Sequence, residues 1–390
     1  MDEAKNCNGI IVVGAGPAGF AVARAYREHG GEEHVILVGR EPRLPYERPP
    51  LTKEYLRGEA SATELTIESD EWFDTQEIDL MLGAEVTAVD VDAATVTIDG
   101  ELLRGDAVVL ATGAEPVRPD LPGLDDPRVR TVREQSDSDV IARHVKAGTR
   151  VAVLGTGFIG CETAASLAMN GAEVVLVGRE PAPQHERLGA DAAAKISSWL
   201  TELGVELRMD TSISQVEDAH RVALQNDEPL DVDLVIAAMG ISPRSDLARS
   251  AGLEVMDGRI GTDARMRASA WVFAVGDVAY AFNRTAGRRL AVEHWDDALK
   301  QGEIAGRVLA GDDASWDSLP GFWSTIGEHT LQYAAWGDGY DSARLEEHRD
   351  GAFAVWYQRH GVPVGVLTYN RDDDYDRGRR MIQAEGPQSW

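Results

Sequence analysis

Cysteine is almost absent from this chain. Its 390 residues include only Cys7 and Cys161, which stand far apart in the sequence. Two such residues supply neither a Cys-x-x-Cys redox pair nor the four ligands of a structural zinc site or an iron–sulfur cluster, so no metal site is expected. A redox function would therefore need a bound organic cofactor. Cys161 is interpreted as a small buried apolar residue, the usual role of a free cysteine.

The chain also lacks long apolar runs and an excess of basic residues. No run approaches the roughly 20 residues of a membrane-spanning helix. Residues 1–4 do not resemble a secretory signal, so we expect a cytoplasmic location and no membrane attachment. Lysine and arginine number 38 against 66 acidic residues, which gives a net charge of −28. Binding to nucleic acid requires a basic surface, so a nucleic-acid partner is not expected.

Glycine is concentrated in a motif near the start of the chain. An apolar stretch at residues 10–13 leads into a turn with Gly14, Gly16 and Gly19, and an alanine-rich segment follows. This order predicts a strand, a tight turn and a helix whose N-terminus faces a phosphate. Gly14 permits the turn, Gly16 lets a pyrophosphate approach the backbone, and Gly19 lets the helix close onto the strand.

The same unit occurs a second time. Residues 151–154 are apolar, Gly155, Gly157 and Gly160 follow, and a helical segment continues through Glu162. Residues 174–181 also nearly repeat residues 36–42, the second strand of the first unit. One glycine motif is a weak signal, but two complete units indicate two bound dinucleotides.

In each unit the second strand ends in Gly-Arg-Glu. An acidic residue about 20 residues beyond the glycines holds an adenosine ribose by its hydroxyl groups. Glu41 is the candidate in the first unit, and a solvated turn residue is the alternative. In the second unit Gly178 removes the acidic side chain from the strand end. Arg179 could then pair with the 2′-phosphate of NADPH or be a solvated charge, and Glu180 could take the ribose. We therefore expect both NADH and NADPH to be used.

Loops and short strands separate the two units. The prolines of residues 45–50 predict an irregular loop, in which Thr52 caps a short helix that ends at Gly58. Residues 79–106 alternate in polarity as short strands do, with Asp99-Gly100 as a hairpin turn. A buried strand then ends at residues 111–113, and prolines at 116, 119 and 122 indicate a connection between domains.

Two further segments carry polar or aromatic groups next to apolar ones. Asp277 closes an apolar strand after Gly276, and it is either a turn residue or an acceptor for the hydroxyls of a ribityl chain. Glu293, His294 and Trp295 open a helix and could lie against a ring system. From residue 317 onwards aromatic residues alternate as in strands, which indicates a separate C-terminal α+β domain.

Taken together, these motifs resemble the FAD-dependent ferredoxin reductases of bacterial oxygenase systems, which have a glutathione-reductase-like fold. The resemblance rests on the two glycine turns, residues 111–113, residues 275–277, the loop at 45–56 and Phe322-Trp323-Ser324. Its most specific part is Pro-Pro-Leu-Thr-Lys-x-Tyr-Leu at residues 49–56. Disulfide reductases of the same fold carry their redox cysteines at this place, and this chain has none.

The resemblance implies an α/β fold with two Rossmann-like dinucleotide-binding domains, one for FAD and one for NAD(P)H, and a C-terminal α+β interface domain. The FAD domain would be discontinuous, covering residues 5–113 and 239–316. The NAD(P)H domain would cover residues 114–238 and the C-terminal domain residues 317–390. Lys53 and Glu162 are expected to act as catalytic residues that face each other beside flavin N5.

The motifs and the resemblance together give a set of residues expected to bind FAD, NADH or NADPH. These residues are Gly14, Gly16, Pro17, Ala18, Gly19, Arg40, Glu41, Arg48, Lys53, Val86, Ala111, Thr112, Gly113, Gly155, Gly157, Phe158, Ile159, Gly160, Glu162, Arg179, Glu180, Gly240, Gly276, Asp277, Glu293, His294, Trp295 and Trp323. The chain departs from its relatives at two places. Thr325-Ile326 stands where they often have Asp-Gln, and Gly178 stands where NADH-preferring relatives usually have an acidic residue.

By this resemblance, a hydride passes from NAD(P)H to FAD and electrons then leave singly to a [2Fe–2S] ferredoxin or a rubredoxin. That protein would feed an oxygenase such as a cytochrome P450 or a Rieske dioxygenase. The alternatives are an enzyme similar to monodehydroascorbate reductase and a redox sensor similar to apoptosis-inducing factor. A monomer or weak dimer is expected.

The net charge of −28 should repel an acidic ferredoxin unless basic residues gather where electrons leave. Six arginines in two sequence segments are the candidates for such a docking surface, with scattered solvated charges as the alternative. They are Arg284, Arg288, Arg289, Arg377, Arg379 and Arg380.

Overall fold

The computed structural model describes residues 5–386. The first helix begins where the sequence signals predict, with a proline at its first position after Gly16. The α-helices are α1 (Pro17–Glu28), α2 (Glu54–Arg57), α3 (Ala62–Leu65), α4 (Asp70–Thr75), α5 (Gln135–His144), α6 (Phe158–Met169), α7 (His185–Glu202), α8 (Asp246–Ser250), α9 (Trp295–Leu309) and α10 (Asp372–Glu385). Short 3₁₀ helices cover Pro49–Thr52 and Gly276–Val278. Among these helices of residues 5–386, none has the length and apolar character needed to cross a membrane.

Among the described residues the strands form six sheets of three to five strands and one two-stranded ladder. They are β1 (Lys5–Asn6), β2 (Gly9–Val13), β3 (His34–Gly39), β4 (Ile78–Leu82), β5 (Val86–Asp90), β6 (Thr95–Ile98), β7 (Glu101–Arg104), β8 (Ala107–Leu110), β9 (Ala114–Pro116), β10 (Arg150–Leu154), β11 (Glu173–Val177), β12 (Glu206–Arg208), β13 (Ile213–Glu217), β14 (Arg221–Leu224), β15 (Leu230–Asp231), β16 (Leu234–Ala237), β17 (Ile241–Pro243), β18 (Val255–Met256), β19 (Arg259–Thr262), β20 (Val272–Ala274), β21 (Ala279–Asn283), β22 (Arg288–Ala291), β23 (Gly321–Ile326), β24 (His329–Ala335), β25 (Ser342–Glu347), β26 (Phe353–Arg359) and β27 (Val362–Tyr369).

The first sheet has the strand order β20-β8-β2-β3-β4, and every neighbouring pair is parallel. Val12 at its centre pairs with Leu37 on one side and Val109 on the other. Phe273 continues the sheet by pairing with Val109. All five residues of β2 are buried, as parallel strands covered on both faces require. The sheet therefore combines the start of the chain with a strand from beyond residue 271.

The second parallel sheet has the order β12-β11-β10-β16. Val153 pairs with Leu176 and with Ile236 in the same manner as Val12 in the first sheet. The predicted fold class, with two Rossmann-like units, is confirmed. The antiparallel pair β9 and β17 lies between the two units, with Pro116 opposite Ile241. The domain boundaries at residues 114, 239 and 317 stay predictions.

Helix α9 packs against α1 with almost no space between the two backbones. A Cβ atom at Gly302 would lie 2.3 Å from the Ala18 carbonyl oxygen, and one at Gly306 would lie 2.4 Å from the Val22 carbonyl oxygen. Only glycine allows this approach. Because α1 begins directly after the first glycine turn, the close packing brings the start of α9 to the same end of the sheet.

The C-terminal domain is an antiparallel sheet of order β23-β24-β27-β26-β25 with α10 packed against it. It contacts α7 of the second unit through aromatic rings. Trp199 stacks on His329 with ring centroids 4.4 Å apart, and Tyr369 lies 5.2 Å from Trp199. The predicted α+β composition of this domain is confirmed. Its contact with α7 places the domain against the second unit.

The loop at residues 45–58 agrees with the sequence in part. Gly58 ends α2 in the left-handed conformation, with φ of 77°. The predicted helix cap by Thr52 is wrong, because Lys53 precedes α2 and no side chain caps that helix. The Thr52 hydroxyl instead donates to a carboxylate oxygen of Glu162 at 2.5 Å. A carboxylate accepts a strong, charge-assisted hydrogen bond from this hydroxyl, whereas a capping side chain would accept from the backbone N–H groups at the helix start.

Candidate active site

A cavity of about 880 Å³ lies where the two dinucleotide units and the C-terminal domain meet. Its volume is near the upper end of the usual range for ligand pockets. Most of the residues predicted to bind cofactors line it: Gly14, Gly16, Pro17, Ala18, Arg40, Glu41, Arg48, Lys53, Val86, Ala111, Thr112, Gly113, Gly157, Phe158, Ile159, Glu162, Gly240, Gly276, Asp277, Glu293, His294, Trp295 and Trp323. Sequence reasoning therefore selected side chains that the fold brings together.

Three predicted glycines shape the turns without lining the cavity. A Cβ atom at Gly19 would lie 1.9 Å from the Gly14 carbonyl oxygen, and one at Gly160 would lie 2.0 Å from that of Gly155. Gly155 has φ of 114°, and a Cβ there would meet the Ala238 carbonyl oxygen. No atom lies within 4 Å of the place a Cβ would take at Gly16. The first turn is thus open for a pyrophosphate, and its geometry fits FAD.

Glu41 is held at the end of β3 by two donors. Its carboxylate accepts hydrogen bonds from the Tyr46 hydroxyl at 2.7 Å and from the Arg48 guanidinium at 2.8 Å. Burial raises the pKa of Tyr46, so its phenol stays protonated and keeps donating. Arg40 forms an ion pair with Glu134 at 2.7 Å, and both residues line the cavity. The carboxylate of Glu41 is therefore fixed in the cavity wall, and its role at the ribose stays a prediction.

Asp277 faces an arginine that the sequence did not indicate. Its carboxylate accepts a hydrogen bond from Arg133 at 2.7 Å, and both side chains line the cavity. Gly276 has φ of 74°, and its N–H donates to the Gln301 side chain at 2.9 Å, which ties the turn to α9. Arg133 lies in the connection between the two units, where no motif or periodic pattern distinguishes it. Glu293, farther along the wall, is paired with Arg259.

Lys53 and Glu162 face each other as predicted. The Lys53 ammonium lies 3.0 Å from a carboxylate oxygen of Glu162, and the side chains are 9% and 6% exposed. The same oxygen accepts from Thr52, and the other oxygen accepts from the Ser324 hydroxyl at 2.7 Å and the Thr325 N–H at 3.3 Å. One carboxylate thus joins the loop at 45–58, α6 and β23.

This network also shows what the departure at residues 325 and 326 does. Thr325 contributes its backbone N–H to Glu162, while its hydroxyl bonds to Thr330 at 2.9 Å. Ile326 is fully buried in the core. Neither residue lines the cavity. The sequence did not predict that Ser324, rather than its neighbours, reaches the Glu162 carboxylate.

Aromatic residues form the rim of the cavity. The His294 ring lies 4.7 Å from that of Phe322, and Trp323 is 42% exposed. Burial, assisted by the positive charge of Arg187, lowers the pKa of His294 to about 4, so its imidazole is neutral at neutral pH. Asp297 accepts a hydrogen bond from the Gly321 N–H at 3.3 Å, which holds the start of β23 beside α9.

The Gly-Arg-Glu sequence at residues 178–180, directly after β11, lies outside the cavity lining. Gly178 packs against Thr156, whose methyl group would lie 2.3 Å from a Cβ at this position. Arg179 is exposed, and Glu180 accepts a hydrogen bond from the Glu186 N–H at 2.8 Å near the start of α7. The roles expected for Arg179 and Glu180 stay predictions, although neither side chain belongs to the cavity wall.

One basic residue of the second unit lines the cavity. Within the described residues 150–237, that residue is Arg187. Its guanidinium lies 5.7 Å from the centre of the Phe158 ring and 5.5 Å from that of Phe322. The sequence motifs indicated Arg179 and gave no signal for Arg187. Arg187 lies eight residues beyond Arg179. The irregular segment between β11 and α7 has no helix or strand periodicity that would indicate where the Arg187 side chain lies.

Comparison with known proteins agrees with this geometry. Residues 8–302 match the family described as pyridine nucleotide-disulphide oxidoreductase, and residues 321–389 match the one described as reductase C-terminal. The chain belongs to the pyridine nucleotide-disulphide oxidoreductase family. The predicted cofactors, FAD and NAD(P)H, are confirmed by membership of this family.

Individual relatives cover nearly the whole chain. The ferredoxin reductase component of a chlorobenzene dioxygenase from Cupriavidus is 31% identical over 96% of this chain and 92% of its own length. Putidaredoxin reductase of Pseudomonas putida is 31% identical over 97% and 92%. A crystal structure of the covalent putidaredoxin reductase–putidaredoxin complex matches with a TM-score of 0.91 at 30% identity, covering 98% of this chain and 94% of that chain. The resemblance inferred from the motifs is confirmed.

Replacing Asp277 should weaken FAD binding. We expect Asp277→Ala to lose charge-assisted hydrogen bonds worth about 1.5–3 kcal/mol, which corresponds to about 10- to 150-fold in affinity. Flavin absorbance relative to protein after extensive dialysis measures the effect. Arg133→Ala is the matched control, because it breaks the same ion pair and leaves the carboxylate in place. Full flavin occupancy in Asp277→Ala, or an equal loss in both variants, would contradict a direct contact.

Proposed function

We propose that this chain is an FAD-dependent NAD(P)H:ferredoxin oxidoreductase that supplies an oxygenase. The main support for this proposal is that two dinucleotide turns open onto one cavity. The wall of that cavity holds the Lys53–Glu162 pair in place of redox cysteines. FAD, when bound, accepts two electrons as a hydride and releases them one at a time. That chemistry connects a nicotinamide donor to a one-electron acceptor.

The acceptor is proposed to be a [2Fe–2S] ferredoxin or a rubredoxin. The names of the relatives support this choice, since they include a dioxygenase reductase component and a reductase crystallised with putidaredoxin. The downstream enzyme would be a cytochrome P450 or a Rieske dioxygenase. The protein would work in the cytoplasm, with access to NAD(P)H, as a monomer or weak dimer.

Both NADH and NADPH are proposed as donors. Gly178 places no acidic side chain directly after β11, which removes the repulsion that such a side chain would exert on a 2′-phosphate. Arg179 is exposed and could pair with that phosphate at the edge of the site. Glu180 is engaged at the start of α7, which leaves it one oxygen for a ribose hydroxyl. The ratio of kcat/KM for the two donors measures the preference.

Lys53 and Glu162 are proposed to act in hydride transfer. The Lys53 ammonium is buried in the cavity wall, where a fixed positive charge favours negative charge nearby and is poorly screened by solvent. Because Thr52, Ser324 and the Thr325 N–H also donate to the Glu162 carboxylate, it is held still without Lys53.

Stopped-flow reduction with NADH and NADPH separately, followed by mixing with acceptors, tests the proposed function. We expect fast flavin reduction followed by fast reduction of a [2Fe–2S] protein. Fast reduction of the ascorbate radical instead would indicate an enzyme similar to monodehydroascorbate reductase. Slow turnover with a long-lived reduced complex would indicate a sensor similar to apoptosis-inducing factor. Either result would contradict the proposal.

Lys53→Met should slow flavin reduction strongly. Removing one partner of a buried ion pair also strands the other charge, which typically costs about 3–5 kcal/mol of stability. The double variant Lys53→Met/Glu162→Gln removes the stranded charge and should recover stability without recovering the reduction rate. Single-turnover kinetics and thermal unfolding separate the two effects. Should Lys53→Met reduce its flavin at the normal rate, the pair would be structural alone.

The six arginines expected at the docking surface differ in their surroundings. Three of them are paired with carboxylates of the same chain: Arg288 with Asp338, Arg289 with Glu254, and Arg377 with Asp374. Arg379 lies over the Tyr375 ring. Arg284 and Arg380 are exposed and have no carboxylate partner among residues 5–386. We infer that these two carry most of the attraction for an acidic acceptor, since a paired charge has little net field at a distance.

Charge reversal at Arg284 and Arg380 should raise the KM for the ferredoxin and leave ferricyanide reduction intact. The rise should shrink with added salt, because charges beyond about 8–10 Å are screened near 0.1–0.15 M. Arg143→Glu, at an exposed position of α5, is the matched control for each single reversal, because it changes the overall charge by the same amount. An equal effect of Arg143→Glu, equal losses with both acceptors, or no salt dependence would place the docking surface elsewhere.

A further inference from the structure

We propose that Gln184 and Tyr357 are positioning residues that hold Arg187 at the NAD(P)H side of the cavity, where its guanidinium meets the phosphates of the dinucleotide. Gln184 and Arg187 belong to one short segment, residues 184–189. Tyr357 lies on β26, which anchors that segment. The inference deepens the proposed function and rests on it for the identity of the ligand. The motif that defines a dinucleotide site, a glycine turn and an acidic residue at a strand end, includes none of these three residues.

Gln184 fixes the first end of the segment to the glycine turn. It is 4% exposed, and its side-chain amide donates to the Thr156 carbonyl oxygen at 3.2 Å. Thr156 lies between Gly155 and Gly157, so this bond sets the distance from the turn to the start of α7. The backbone of Gln184 is left-handed, with φ of 62° and ψ of 16°. A non-glycine residue keeps this conformation only where the surroundings enforce it.

Tyr357 fixes the second end from the C-terminal domain. Gly189 has φ of 83° and ψ of 171°, which interrupts α7 after its first turn. The Tyr357 hydroxyl donates to the Leu188 carbonyl oxygen at 2.8 Å, within this interrupted turn. Tyr357 is 1% exposed, and burial raises the pKa of its hydroxyl, so the group remains a donor. The break in α7 leaves the Leu188 carbonyl without a helical partner, and the buried Tyr357 hydroxyl satisfies it. The break is therefore a fixed feature of the fold.

Arg187 lies between these two anchors. Its guanidinium rests over the rings of Phe158 and Phe322, and it has no carboxylate partner among the described residues. Phe158 directly follows Gly157, so the charge is held beside the turn that the second dinucleotide approaches. The positive charge also contributes to the low pKa of His294, whose ring lies against the same Phe322 ring. An unpaired, oriented guanidinium is suited to a phosphate, which it can bind through two parallel hydrogen bonds.

The two anchors act on Arg187 by removing alternatives. Without the Gln184 bond the start of α7 could move away from the turn, and without the Tyr357 bond the carbonyl of Leu188 would have to find another donor. In either case Arg187 would sample more positions, and binding would have to overcome that entropy. The expected signature is weaker dinucleotide binding with little change in the limiting rate of flavin reduction.

The test compares Gln184→Gly, Tyr357→Phe, Arg187→Ala and the double variant Arg187→Ala/Tyr357→Phe in the flavin-loaded protein. Glycine relieves the left-handed backbone while removing the amide, so misfolding of that variant is avoided. Tyr375→Phe, which removes a hydroxyl from α10 of the same domain, is the control. Calorimetric titration of the oxidised protein with NAD⁺ and NADP⁺ gives Kd, and stopped-flow reduction gives the limiting rate.

We expect Gln184→Gly and Tyr357→Phe each to raise Kd about three- to tenfold, the range for one neutral hydrogen bond, with the limiting rate nearly unchanged. Arg187→Ala should raise Kd at least as much. The double variant should be no weaker than Arg187→Ala alone, because Tyr357 acts through Arg187. Additive losses in the double variant, or an unchanged Kd in Arg187→Ala, would overturn the inference. Both outcomes are independent of whether a ferredoxin accepts the electrons, so they are distinguishable from failure of the proposed function.

Discussion

The carboxylate of Glu162 is the point on which the three parts of the molecule depend. It lies on α6 of the second unit and accepts hydrogen bonds from Thr52 and Lys53 of the first unit and from Ser324 and Thr325 of the C-terminal domain. A buried carboxylate is costly unless it is paired and fully hydrogen-bonded. Each part of the chain must therefore be in place before this charge is satisfied, and the same condition closes the cavity around its ligands.

The features predicted from the sequence are those that depend on local order along the chain. Gly14, Gly19 and Gly160 occupy positions where a Cβ would meet a backbone oxygen, so their spacing alone reveals the strand, turn and helix. The buried runs of β2 and β10 follow from apolar residues bounded by glycine. These signals fix two nucleotide units and, with the loop at 45–56, a family.

The residues that sequence reasoning missed contact partners far away in the chain. Arg133 reaches Asp277, Ser324 reaches Glu162, and Tyr357 reaches Leu188. Such contacts depend on how separate units pack, and no periodicity or spacing in the chain encodes them. Thr52 illustrates the same limit from the other side, because its local pattern predicts a helix cap while a distant carboxylate takes its hydroxyl.

The first sheet is completed by a strand that the ribosome makes long after the others. Strands β2, β3, β4 and β8 emerge before the second unit, and β20 follows it, with Val272 pairing beside Val108. Until then β8 is an unpaired edge with exposed backbone groups, which can pair with another chain. The second unit, by contrast, is continuous in sequence and can fold as soon as it is made, since domains generally fold as units during synthesis. The order of synthesis therefore favours a nascent chain in which the inner unit is already folded while the outer one waits for its last strand, and this interval is the time at which the chain is most exposed to aggregation.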